Sequence, residues 1–134
     1  MIALDTNLLL RFALQDHAVQ SASARRLLER QDCFASLLAM GEMGHVLMSV
    51  YRATRAELLT VCNALLALPS LEVEHEARLT QALDGFAAGI DWFDALLWAA
   101  TPPGITLATF DRPFAKRAIA LGWDVENRRP KTGP

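Results

Sequence analysis

Short apolar runs separated by longer stretches of helical periodicity set the layout of this chain. Ile2 to Leu4 is apolar and is followed by Thr6-Asn7, residues that suit a helix start, so the pattern predicts a strand and then a helix. His17 to Arg30 carries apolar residues and arginines at helical spacing, Cys33 to Ser36 predicts a second strand, and Leu37 to Tyr51 predicts a mostly buried helix. Thr54-Arg55-Ala56-Glu57 has the capping-box pattern, which starts a helix that runs to about Leu68, where Pro69 stops it. Leu71 to Val73 predicts a third strand, Glu76 to Ala88 a helix ended by Gly89, and Asp91 to Ala100 a helix with an acidic first turn. Pro102-Pro103-Gly104 forces a break. Ile105 to Phe110 is the clearest strand, Pro113 to Leu121 a short helix closed by Gly122, and Trp123 to Val125 a last strand.

Strands that alternate with helices imply an α/β domain of three layers, with a central, mainly parallel sheet of about five strands flanked by helices. In such sheets the site lies beyond the carboxyl ends of the strands, where the strand order reverses. Asp5 and Asp111 both end a strand. With those strands as neighbours the two carboxylates would face each other across the crevice, Asp94 would start the preceding helix, and Glu42 would sit on the helix after the second strand. No repeat or second domain interrupts the pattern, so residues 1–126 are expected to form one domain and 127–134 a loose tail.

Composition narrows the class without fixing the substrate. At 134 residues, with 52% hydrophobic and 21% charged, the chain has ample material for one packed core. A formal charge of -2 rules out an overall basic footprint and leaves room for a local one. Cys33 and Cys62 share neither metal nor redox spacing and sit in apolar segments, as buried thiols do in a reducing cytoplasm. No apolar run reaches the roughly 18 residues of a membrane span, and Asp5 breaks any signal-like start, so a cytoplasmic protein is expected.

Four acids stand among apolar neighbours: Asp5 after Ile2-Ala3-Leu4, Glu42 between Leu38 and Leu47, Asp94 within Trp92-Phe93-Asp94-Ala95-Leu96, and Asp111 after Ile105 to Phe110. A carboxylate withdrawn from water without a partner costs several kcal/mol, so converging acids point to a hard divalent cation or to an equal set of buried bases. Carboxylates and waters are the ligands that Mg²⁺ and Mn²⁺ prefer. Asp5, Asp94 and Asp111 are the candidate metal ligands, and Glu42 completes the candidate catalytic set. Each has a plainer alternative: a helix cap for Asp5, a dipole-favoured first-turn position for Asp94 behind a cap at Asp91, a turn for Asp111, an ion pair for Glu42. Asp91 competes with Asp94 as the site acid of its helix, Thr109 shares a strand face with Asp111, and Asn7 is placed to orient Asp5. His45 forms a Glu-x-x-His spacing with Glu42, but a di-iron helix needs a second copy that is missing. Arg11, Arg112, Lys116 and the Arg128-Arg129-Pro130-Lys131 tail are candidate contacts for a phosphate backbone, while Trp92, Phe93 and Trp98 read as core or interface.

Ile2-Ala3-Leu4-Asp5-Thr6-Asn7, the Ser36 to Leu47 segment around Glu42, Asp91-Trp92-Phe93-Asp94-Ala95-Leu96 and Thr109-Phe110-Asp111-Arg112 together resemble the four acidic motifs of PIN-domain nucleases. The likeness is greatest to VapC-type toxins of toxin-antitoxin pairs, and it runs to about Val125. It implies a parallel-sheet PIN fold, Mg²⁺ or Mn²⁺ dependence, cleavage of RNA, a homodimer, and a cognate antitoxin that blocks the site. One alternative is a haloacid dehalogenase-like phosphatase, but that chemistry wants an acid two residues after the nucleophile, where Asn7 stands. The other is a catalytically inactive PIN-like protein-binding module, against which the presence of all four acids argues.

Overall fold

In a computed structural model that describes residues 1–15 and 18–130, the chain folds as two compact units, Met1–Glu76 and a second that begins at Ala77. The first runs β1 (Ile2–Ala3), α1 (Thr6–Leu14), α2 (Ala18–Arg30), β2 (Cys33–Ala35), α3 (Leu37–Ser49), α4 (Arg55–Leu66) and β3 (Leu71–Val73). The expected start of α2 at His17 lies outside the described residues.

The three strands form a parallel sheet in the order β1-β2-β3, with Ile2 opposite Cys33 and Cys33 opposite Leu71. Parallel neighbours need long crossovers, and two helices supply each of them. Central β2 is short and apolar, and its Cys33 and Ala35 are fully buried. Leu9, Leu28, Met40, Met43, Leu58, Cys62 and Leu65, one or more from each of the four helices, are buried too. The Leu4 amide donates to the Phe34 carbonyl at 2.8 Å, which carries the ladder one residue past β1 and leaves Asp5 at its carboxyl end. Thr54 accepts from the Glu57 amide and Glu57 from the Thr54 amide, so the capping box read from the sequence is present. At the end of β3, the Glu74 carboxylate accepts the Leu37 amide at 3.0 Å and fixes the first turn of α3.

The second unit runs α5 (Glu76–Ala87), whose first residue closes the unit before it, then α6 (Trp92–Ala100), β4 (Leu107–Thr109), α7 (Arg112–Ala120) and β5 (Val125–Asn127). Its strands pair in parallel, Leu107 with Val125 and Thr109 with Asn127. The Trp98 and Trp123 rings stack 4.0 Å apart at 9°, Phe86 meets Trp92 edge-on at 5.2 Å, and the Arg78 guanidinium lies 3.6 Å above Trp98. Arg78 also donates to the carbonyls of Trp98 and Thr101, which holds the carboxyl end of α6. Gly122, at φ 80°, reverses the chain after α7 so that the Trp123 amide returns to the Ala118 carbonyl.

Three expectations are corrected. The five strands are all parallel but form a three-stranded and a two-stranded sheet rather than one, and β1 and β4 have β2 and β5 as their ladder partners. The strand expected over Ile105 to Phe110 shrinks to Leu107–Thr109, because Ile105 closes a turn onto Pro102 and the Thr106 hydroxyl bonds Asp124. The last strand begins at Val125 and reaches Asn127, because the Trp123 amide is spent on the Ala118 carbonyl.

Candidate active site

The N-terminal unit supplies two of the four acids. Asp5 leaves β1 with extended backbone and is itself the N-cap of α1, its Oδ1 accepting the Leu8 amide at 3.0 Å. The helix cap read as the plainer role of Asp5 is therefore present. Thr6 is the first residue of α1, and its hydroxyl donates to Glu42 Oε2 at 2.8 Å. Glu42 lies on the exposed side of α3, in line with exposed Leu38 and His45 rather than with buried Met40, Met43 and Leu47. Helical spacing places Leu38, Glu42 and His45 on one face, so the expectation of an embedded carboxylate misjudged which face met the core.

The C-terminal unit supplies the others. Asp91 caps α6, its Oδ2 accepting the Phe93 and Asp94 amides at 3.1 and 3.4 Å. Asp94, in the first turn, is half-buried, and its carboxyl is held above the usual range first by that burial, then by the charge of Asp91, then by that of Asp111. Asp111 caps α7, its Oδ1 accepting the Phe114 amide at 3.0 Å, while its own amide donates to Thr109 Oγ1 at 2.9 Å. Thr109 thus fixes the backbone at Asp111, and Pro113 in the first turn stiffens the helix start. Asp91 and Asp111 both act electrostatically on Asp94, and Asp91 is also the cap of its helix.

Solvent reaches Asp5, Glu42 and Asp111, so the desolvation cost expected for all four falls on Asp94. Among the described residues none of the four acids takes part in an ion pair, which removes the matched-base alternative, and no group of three or more His, Cys, Asp or Glu side chains stands ready to hold a metal ion. Carboxylate oxygen is the donor type a hard cation takes, and the caps at Asp5 in the first unit and at Asp91 and Asp111 in the second each engage one carboxylate oxygen. Thr6 is the participant that sequence reasoning missed. A threonine after a capping Asp carries no sign that its hydroxyl will meet a carboxylate 36 residues on.

The PIN domain family profile matches residues 2–120, a span that includes all four acids and their motifs. This chain belongs to the PIN domain family. PIN domains are a nuclease-type family whose members generally act on nucleic acid with divalent metal ions, which accords with the oxygen donors of this PIN domain. Among curated proteins no match was found. No helix among the described residues of the PIN domain is long and apolar enough to cross a membrane.

Proposed function

We propose that this PIN domain is a metal-dependent endoribonuclease that hydrolyses RNA phosphodiester bonds, and that it is the toxin of a toxin-antitoxin pair. The observation that carries the reading is the state of Asp94. Its carboxyl is disfavoured as an anion by burial and by two further acids, with no ion pair to relieve it among the described residues. A divalent cation supplies that relief. Asp5, Asp94 and Asp111 would hold Mg²⁺ or Mn²⁺, which when bound polarises the scissile phosphate and makes a water nucleophilic near neutral pH.

The remaining work falls to the chain's own groups. Thr6 holds one oxygen of Glu42, so the other keeps a defined direction and can accept a proton from the attacking water. Asp91 keeps Asp94 in the first turn of α6 through the Asp94 amide. The family motifs further support a homodimer in the cytoplasm, restrained by a cognate antitoxin that covers the acids.

Cleavage of RNA titrated with Mg²⁺ or Mn²⁺ tests the enzyme reading, with wild type compared against Asp5→Asn and Asp94→Asn. Loss of a residue that merely supports a ligand already costs about 10–100-fold, so these changes should cost more than about a hundredfold. Mutants that cut as wild type does, or full activity in EDTA, sink the proposal. Induction in bacteria tests the toxin reading: wild type should arrest growth and Asp5→Asn should not, and harmless wild-type expression removes that role.

A further inference from the structure

Helix α7 carries a basic strip against the sign of the whole molecule. The chain's formal charge is -2, yet Arg112, Lys116 and Arg117 line one cavity of about 870 Å³ together with Ile119 and Asn127, with no acid in its wall. Arg112 and Lys116 lie one turn apart and so share a side of the helix. Among the described residues neither of them forms an ion pair. Arg117 is fixed by donation to the Gly89 carbonyl at 3.1 Å.

A second cavity, of about 190 Å³, is lined by Ala108, Thr109, Phe110 and Arg128. The Phe110 ring is 68% exposed, a poor state for an aromatic side chain in water. Arg128 beside it is tied to Glu126 at 3.2 Å, but both are at least half exposed to solvent and easily parted. Phe110 and Arg112 are the residues on either side of Asp111.

We infer that this surface is the seat of single-stranded RNA, with backbone phosphates against Arg112 and Lys116 and an unpaired base on the face of Phe110. The inference rests on the nuclease reading and names where that substrate lies. Cations without acid partners fit a polyanion, and an exposed aromatic ring beside an arginine is the platform on which unpaired bases stack in any sequence. A duplex keeps its bases inside and offers Phe110 nothing to stack on.

The test is fluorescence anisotropy of a labelled single-stranded RNA with the full chain, in EDTA so that it stays intact, over a salt series starting low. Arg112→Ala/Lys116→Ala should weaken binding by tenfold or more at low salt. It should also flatten the log-log salt slope by about 1.4, two contacts at about 0.7 each on a single strand. Phe110→Leu should weaken binding on the order of tenfold with the slope unchanged, and Phe110→Trp should retain it. These side chains are exposed, and wild-type melting curves for the variants confirm folding.

Wild-type affinity in the variants, no binding by wild type, or equal binding of a duplex overturns the inference. So does an acidic peptide that displaces RNA and binds more tightly, since the face then belongs to a protein partner. Cleavage run in parallel separates the two readings. Binding that depends on Arg112, Lys116 and Phe110 without cleavage discards the nuclease alone, and cleavage indifferent to their replacement discards the proposed seat alone.

Discussion

Asp94 shows how one side chain joins stability to chemistry. Its native pKa lies above the ordinary 3.8, from burial first and then from Asp91 and Asp111, so the folded state binds the proton more tightly than the unfolded chain does. Stability therefore falls as pH rises from the ordinary value through the raised one, and near neutrality the ionised group is a cost. Asp94→Asn should raise the Tm near neutral pH, with the advantage shrinking below about pH 4, where the carboxyl is protonated in both states. Melting curves at both ends of that range decide it, and an unchanged Tm at neutral pH contradicts the assignment. Thr6→Val should lower cleavage by about tenfold, as loss of a supporting contact does, while stability shifts by no more than about 1 kcal/mol. Steady-state kinetics beside a thermal melt check both, and equal kinetics would free Glu42 of its dependence on Thr6. The four acids stand out in the sequence because Asp5 and Asp111 each end an apolar run and Glu42 and Asp94 each interrupt one. Their exposure was not readable, because Glu42 sits in an apolar helix whose outward face also carries Leu38.

At the scale of elements, local chemistry was legible wherever it was local. Thr54 with Glu57, Gly89 at φ 109° and Gly122 at φ 80° end or begin helices as their residue types dictate. The edges of β4 and β5 were not legible, since they depend on the Thr106 to Asp124 hydrogen bond and on the bond from the Trp123 amide to the Ala118 carbonyl. Gly85 shows the same limit inside α5. A glycine in mid-helix is expected to gain about 1 kcal/mol on replacement by Ala. Here a Cβ would fall 2.2 Å from the Trp123 ring, and that ring is buried and stacked on Trp98, so the pair must shift to make room. Overpacking of about 1–3 kcal/mol outweighs the propensity gain, so Gly85→Ala should lower the Tm by several degrees. A raised Tm in calorimetry would mean the indole yields.

At the scale of the molecule, the alternation of short strands with paired helices announced an α/β fold of parallel strands before any coordinates. The division of five strands into two ladders was beyond it, because ladder partners are chosen by register and packing rather than by the order of apolar runs. The thiols belong to this scale, since each is sealed by a whole core. Burial pushes Cys62 up to about 12 and raises Cys33 as well, with Asp32 adding to the latter. The folded protein should therefore resist a thiol reagent at mildly alkaline pH and titrate both cysteines once denatured; rapid reaction of the native protein would show that a core opens. The aromatic stack at Trp98 and Trp123 leads somewhere else. All three tryptophans, at 92, 98 and 123, follow Glu76, while the single tyrosine, Tyr51, precedes it. Indole fluorescence and the near-ultraviolet dichroism of the coupled pair thus watch the C-terminal half alone, whereas far-ultraviolet dichroism watches every helix. Superimposed melting traces from the two signals would mark one cooperative transition, and separated traces would give each half its own midpoint without any added label.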